Sequence, residues 1–340
     1  MTFVKRVAVV ALGLAMAISL AACGGPSPEE VLGSSESTPY PVPRDINGDG
    51  LITVGVTMPS VENSWRARGL ESFKEYFTPA NGYNLIIFEP VIAAEPQRQQ
   101  IRDMIAQRVE VIIFAPVYHD NWEPIMQVAL NAGIPVIVIE RPLDVPEDLY
   151  FTYFTNDLRA EGDRVVDWLA KAIEAGAVSG AVNIAHLQGT LGAPEQLARS
   201  AALTEAAAAK GWNLAFQRNC LFARYTAKSA LFPFLQQGQD LNVIYAENIE
   251  MALGAIDAIK GAGLDPADYL IGTFDGTTEG VQLVIDGEID VIAESTPYYA
   301  PQLGELIKRS MAGQVIPKRT YAAEGIIDAT NAADMLETAY

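Results

Sequence analysis

The sequence predicts an α/β protein built from two doubly wound parallel-sheet lobes. Three observations lead there. Apolar runs recur about every 25 to 30 residues from residue 51 onward, the length of a strand–helix–strand unit. Runs such as Val136-Ile137-Val138-Ile139 show no polar alternation, as in a parallel sheet covered on both faces. The pattern then restarts after residue 157, and 340 residues suit two cores better than one.

The elements follow in order. Residues 52–58 read as a buried strand and 63–77 as a helix, with further strand-like runs at 83–88, 111–114 and 134–139. Ile125, Val128, Ala129 and Ala132 keep the i, i+3, i+4, i+7 spacing of an amphipathic helix. In the second half, a helix over 157–175 places Leu158, Val165, Leu169 and Ile173 on one side. Strands are predicted at 181–187, 212–216, 241–246 and 269–274, alternating with helices at 194–210, 223–236 and 248–261. Periodicity does not divide residues 296–340 between the lobes.

Residues ahead of this body read as an address. Lys5 and Arg6 precede an uncharged run over 7–20, too short for a bilayer, which needs about 20 apolar residues. It ends in Leu20-Ala21-Ala22-Cys23-Gly24, which is similar to the bacterial lipoprotein cleavage motif. That similarity implies a signal peptide over 1–22, a lipidated Cys23 and a membrane-anchored mature chain. Prolines and serines over 24–50 preclude helix and sheet and predict a flexible tether. Within it, Asp45-Ile46-Asn47-Gly48-Asp49-Gly50 has the oxygen spacing that opens a calcium loop. Val56 stands where the bidentate glutamate belongs and no helix precedes, so the segment reads as a polar turn feeding a strand.

Composition excludes several function classes. Lys and Arg total 23 against 42 Asp and Glu, a net charge of −19, so nucleic-acid binding, which needs a basic face, is not expected as the main function. Two cysteines and two histidines cannot build a thiolate or histidine-rich metal site. With Cys23 lipidated, Cys220 stands alone. No nucleophile–histidine pair and no phosphate-cradling glycine motif occurs, and no cofactor is expected.

In open parallel sheets, ligands sit beyond the carboxyl ends of the strands. Those positions carry Asn63, Trp65 and Arg66 after the first strand, then Glu140 and Arg141, and Gln188-Gly189-Thr190 with Arg199 further on. Phe222, Asn248, Asp275 and Ser295 complete the set. Aromatic faces, guanidiniums, amides and carboxylates together suit a sugar, whose C–H faces stack and whose hydroxyls both donate and accept.

The body resembles the type I periplasmic sugar-binding proteins of ABC importers, in particular the galactofuranose-binding members. The resemblance rests on Asn63-Ser64-Trp65-Arg66, on Ala115-Pro116-Val117 with Trp122-Glu123-Pro124, and on Leu187-Gln188-Gly189-Thr190. It continues through Ala246-Glu247-Asn248, Met251-Ala252-Leu253-Gly254-Ala255 and Phe274-Asp275-Gly276-Thr277, and it covers nearly all of 52–336. It implies a non-enzymatic, monomeric protein that closes on a monosaccharide, a furanose such as galactofuranose, and delivers it to a membrane permease. It implies a cleft lined by Asn63, Trp65, Arg66, Glu140, Arg141, Arg199, Phe222, Asn248 and Asp275. It also implies an N-terminal lobe of 51–155 plus 297–325, a C-terminal lobe of 156–296 plus 326–340, and three crossovers between them. Glu140 where the family usually has Asp, and Ile249 where it usually has an acid, bear on which sugar fits. A receptor presenting a sugar or autoinducer to a membrane sensor is the alternative on the same fold. A glycosidase pairing Glu140 with Asp275 needs the two acids about 5 to 10 Å apart, and the resemblance opposes it.

Overall fold

The structure, a computed structural model, describes residues 40–61 and 64–340. The expected signal peptide, Cys23, the first part of the tether and Asn63 lie outside the described residues.

The first half is a run of strands and helices: β1 (Ile52–Thr57), α1 (Ser64–Tyr76), β2 (Tyr83–Ile87), α2 (Ala94–Ala106), β3 (Val111–Phe114), α3 (Glu123–Asn131), β4 (Val136–Ile139) and β5 (Thr152–Thr155). The second half continues with α4 (Leu158–Glu174), β6 (Asn183–Gln188), α5 (Pro194–Lys210), β7 (Asn213–Asn219), α6 (Arg224–Gln236) and β8 (Val243–Ala246). Then come α7 (Ile249–Gly261), β9 (Leu270–Asp275), α8 (Thr278–Ile285) and β10 (Val291–Glu294). The chain ends with α9 (Tyr299–Met311), β11 (Arg319–Tyr321), β12 (Ile326–Asp328) and α10 (Ala332–Met335).

Two six-stranded sheets result, ordered β11-β5-β4-β3-β1-β2 and β12-β10-β9-β8-β6-β7. The predicted fold class is therefore observed. Strands β3 and β4 are buried along their whole length, which is why their sequences are unbroken apolar runs. Helices cover both faces. Phe73 of α1 and Phe77 just after it share one core with Tyr299, Leu303 and Ile307 of α9, while Met104 and Met126 fill the opposite face. In the second lobe, Leu169 and Leu203 pack on one face and Leu231, Ile256 and Val281 on the other.

The chain passes between the sheets three times: from β5 to α4, from β10 to α9, and from β11 to β12. This divides the C-terminal stretch that periodicity left open. Helix α9 and β11 join the first lobe and β12 the second. One departure from an all-parallel sheet is β12, which pairs antiparallel with β10 through Ile292 opposite Ile327. Its direction has a simple cause. Strand β10 runs toward the crossovers and β12 starts from one, so the two meet head to tail.

The stretch 40–50 was expected to be the last part of a free tether, and there the structure corrects the expectation. It has no helix or strand, yet it is docked on the first lobe. The Tyr40 hydroxyl donates to the Leu149 carbonyl at 3.0 Å, the Lys318 ammonium lies 4.7 Å above its ring, and Phe151 packs at 6.2 Å. Burying an aromatic ring with its hydroxyl satisfied outweighs the freedom a proline-rich spacer would otherwise keep. The calcium-like segment is a chain of side-chain-capped turns. Asp45 accepts from the amides of Gly48 (2.6 Å) and Gly50 (2.9 Å), and Asp49 accepts from Leu51 at 2.8 Å. Glu110 receives the amides of Ile46 and Thr53, fixing the turn at the start of β1. Among the described residues, no group of His, Cys, Asp and Glu is arranged to hold a metal.

Candidate functional site

Apart from β12, the strands of both sheets run with their carboxyl ends toward the crossovers, so the loops that follow them lie at the crossover end of each lobe. The backbone there is unusual. Glu140, Leu221, Phe222 and Asp275 all have positive φ, between 57° and 90°. For residues with a Cβ this conformation is strained, and such strain collects at functional sites.

From the first lobe come Trp65, Arg66, Glu140 and Arg141. Arg66, on the first turn of α1, is buried and forks onto the Glu140 carboxylate, with Nε 3.1 Å from Oε1. The Glu140 backbone is pinned as well. Its amide donates to Phe154 at 3.1 Å, and its carbonyl accepts from the Tyr153 hydroxyl at 2.9 Å. Arg141 donates to the Val117 carbonyl at 2.9 Å and stays partly exposed, its Nε 3.6 Å from Glu140. Trp65 donates its indole N–H to the Ser295 carbonyl on the second crossover at 2.8 Å, and its ring meets Tyr299 edge-on at 5.7 Å.

From the second lobe come Arg199, Phe222, Asn248 and Asp275. Arg199, on α5, is buried and heavily committed. Nε and Nη2 donate to Glu161 of α4 at 3.1 and 2.6 Å, and Nη1 donates to the Glu247 carbonyl at 2.5 Å. Its guanidinium lies 4.3 Å from the Phe274 ring centre and 3.8 Å from Asp275. Phe222 lies against Gly189 so closely that a Cβ there would stand 1.9 Å from the ring, so only glycine fits at 189. Asn248 does two jobs: its oxygen caps α7 by accepting from Met251 at 3.0 Å, and its amide donates to the Phe222 carbonyl at 3.2 Å. Asp275 accepts from the Ile249 amide at 3.4 Å. Burial pushes its pKa up to about 6, with Arg199 opposing the shift.

Of the predicted residues that are described, Trp65, Arg66, Glu140, Arg141, Phe222, Asn248 and Asp275 lie at strand ends or on the segments that follow them, and Arg199 lies on the second turn of α5. Sequence reasoning missed their supports. Glu247 accepts from His186 (2.8 Å), from Ser200 (2.5 Å) and from the Gly189 amide (2.7 Å), which makes it a buried anchor behind the second-lobe set. Cys220 is inert, its thiol pushed up to about 11 by burial.

The three-crossover hinge was expected, but the carboxylate that ties it together was not. Glu324, on the third crossover, accepts from the Thr296 amide on the second at 2.8 Å and from the Asn156 side chain on the first. Asn156 also donates to the Thr296 carbonyl at 3.3 Å and accepts from the Tyr299 hydroxyl. One carboxylate therefore ties all three crossovers together. Arg164 comes only to 3.9 Å from its other oxygen. Burial, with Glu161 nearby, pushes the Glu324 pKa up to about 8. The folded protein then holds a proton that the unfolded chain, with an ordinary Glu pKa of about 4.3, has lost. Stability from this group is fully present below about pH 4.3 and is lost as pH rises through about 8. Glu324→Gln should therefore lose less stability than the wild type between pH 5 and 9 in denaturant titrations. Parallel pH profiles for the two proteins would contradict this.

Two α/β lobes, three crossovers and a polar cleft between facing strand ends define a periplasmic binding protein of type I. Residues 54–314 match the family described as periplasmic binding protein domain, and the chain belongs to that family. It is similar to the galactofuranose-binding protein YtfQ of Escherichia coli (strain K12), at 32% identity over 293 residues that cover 84% of this chain and 91% of that protein. The fructose import binding protein FruE of Bifidobacterium longum (strain NCC 2705) is 25% identical over 341 residues, covering 98% and 97%. Among solved structures, the arabinose ABC transporter component of Shewanella sp. ANA-3 bound to α and β-L-arabinofuranose superimposes with a TM-score of 0.69. It is 30% identical and covers 84% of this chain and 95% of that one. A galactofuranose binding protein gives a TM-score of 0.67 at 32% identity, covering 84% and 98%. These relatives are solute-binding proteins, not enzymes, and the family is extracytoplasmic. Among the described residues, no helix is long and apolar enough to cross a membrane.

Proposed function

We propose that this chain captures a monosaccharide in furanose form between its lobes and delivers it to an ABC permease. The observation that carries the reading is that each lobe gathers a polar set beyond its strand ends: Arg66, Glu140 and Arg141 on one, Arg199, Asn248 and Asp275 on the other. Each set is held in place by its own neighbours, and in this reading a sugar bridges the two. A ligand that contacts both lobes stabilises the closed arrangement by its differential affinity for it. The named ligands of two relatives support a furanose: galactofuranose and arabinofuranose. Asn63 joins the set on sequence grounds. A Kd near micromolar, about −8 kcal/mol, suits capture followed by release.

We further propose that Cys23 carries lipid and that residues 24–39 space the lobes from a membrane, supported by Leu20-Ala21-Ala22-Cys23 after the apolar run. Cys23→Ser should leave the protein soluble or uncleaved with its ligand affinity intact. Membrane retention of the cleaved variant would refute the anchor.

The test of the binding reading is a thermal-shift panel of L-arabinose, D-galactose, D-fructose and D-ribose, with methyl pyranosides as controls. A ligand selective for the native state raises the melting temperature, by about 2.7 kcal/mol of added stability at 100 times Kd. Free sugars that can open to furanose should stabilise and the locked pyranosides should not. No shift with any free sugar would overturn the reading.

A further inference from the structure

At the hinge end of the cleft the chain's last residues fold back. Helix α10 lies against the second lobe, and the chain then returns beside the loop that carries Asp275. The Tyr340 carbonyl accepts from the Thr278 amide at 2.8 Å, and its amide donates to the Gly276 carbonyl at 3.4 Å. A cavity of about 60 Å³ opens there, lined by Asp275, Glu294, Thr296, Tyr298 and Tyr340 among others. It has room for a few waters or one small polar arm of a ligand. The Tyr340 ring is half-buried, and its hydroxyl makes no hydrogen bond with any described residue. Tyr340 lines this cavity together with Asp275 and Tyr298, and burial with Asp275 holds its phenol well above the ordinary range. At neutral pH it is thus a protonated O–H, able to donate and accept, at the same cavity as the Asp275 carboxylate of the binding set.

We propose that Tyr340 is a specificity-determining residue of the cleft: its hydroxyl meets a hydroxyl on the exocyclic arm of the bound sugar, and its ring limits how long that arm can be. The proposal rests on the sugar-binding reading above. Furanoses that share a ring differ mainly in that arm, so a wall at the end of the cleft is where they are told apart. A partly buried phenol without a protein partner costs binding when its ligand partner is removed, because the partner's polar group is then left unpaired.

The test is calorimetry of wild type, Tyr340→Phe and Tyr340→Ala with L-arabinose, D-ribose, D-galactose and D-fructose. Tyr340→Phe should weaken the sugar that the wild type binds most tightly by about tenfold, the loss of one such hydrogen bond. Tyr340→Ala should raise the ratio of hexose to pentose affinity by at least about tenfold. Melting temperatures run in parallel. Should the alanine variant unfold, the phenylalanine variant keeps the ring and its packing and decides alone. Affinities within about twofold of wild type for Tyr340→Phe, on every sugar that the wild type binds, would overturn the proposal and leave the sugar reading standing. A wild type that binds none of the four would overturn the sugar reading and this inference with it.

Discussion

Arg199→Met should destabilise the folded protein by about 3 to 5 kcal/mol at pH 7, the usual result of removing one partner from a buried ion pair. The side chain is 2% exposed and is the cation standing between Glu161 and Asp275. Methionine fills much of the same volume, so packing is largely kept and the loss reports the charge. Glu161 is already short of partners, since its Oε1 accepts no hydrogen bond. Without the guanidinium both acids lose their cation, and Asp275, whose upward shift Arg199 opposes, binds its proton more tightly in the folded state. The sign follows: the variant's deficit should shrink as pH falls from 7 toward 5, because protonation relieves the unpaired carboxylates only where they are buried. Arg199→Lys should not restore the wild type, because one ammonium cannot reach Glu161, the Glu247 carbonyl and the Phe274 face together. Urea titrations at pH 5, 6 and 7 measure all of this. A loss under about 1 kcal/mol, or a deficit that grows as pH falls, would show that the cluster is not electrostatically coupled as drawn.

Arg199 also shows which parts of this protein are readable in one dimension. Its own place was legible, because it follows the Gln188-Gly189-Thr190 strand end. Its partner Glu161 was not. In sequence, Leu158-Arg159-Ala160-Glu161 is an ordinary helix start with charges that read as a solvated face, and only the approach of α4 to α5 turns Glu161 inward. Strands such as β3 and β4 were legible because both of their faces are covered, so they are unbroken apolar runs. The short strands β5, β11 and β12 carry three or four residues each and no period to count. Glu324 sits on a crossover whose meaning depends on two other crossovers far away in the chain. Asn248 was legible as a strand-end residue, and the structure shows that it also caps α7. Residues 40–50 misled because proline content speaks to local stiffness, whereas docking depends on where the Tyr40 ring can be buried.

Trp65→Ala should weaken sugar binding by about 2 to 4 kcal/mol, the range of a buried aromatic anchor at an interface. The sequence motivates the claim through Asn63-Ser64-Trp65-Arg66 after the first strand, where a ring face and a guanidinium fork stand side by side. The structure adds a second way for the same substitution to act. The indole N–H donates to Ser295 on a crossover, and the ring edge supports Tyr299, so Trp65 also couples the first lobe to the hinge. Trp65→Phe separates the two roles. Phenylalanine keeps a stacking face and loses the hydrogen bond. If stacking on the sugar is the larger share, Trp65→Phe retains most of the affinity and Trp65→Ala loses it. If the hinge contact is the larger share, both variants lose affinity alike, and the free protein's radius in scattering shifts for both. Arg66→Ala is the companion measurement, expected to cost about 1 to 3 kcal/mol of binding because it leaves the Glu140 carboxylate with less of its charge answered. Wild-type affinity in Trp65→Ala, or a clear preference of the wild type for locked methyl pyranosides, would sink the assignment of Trp65 as the platform for a furanose ring.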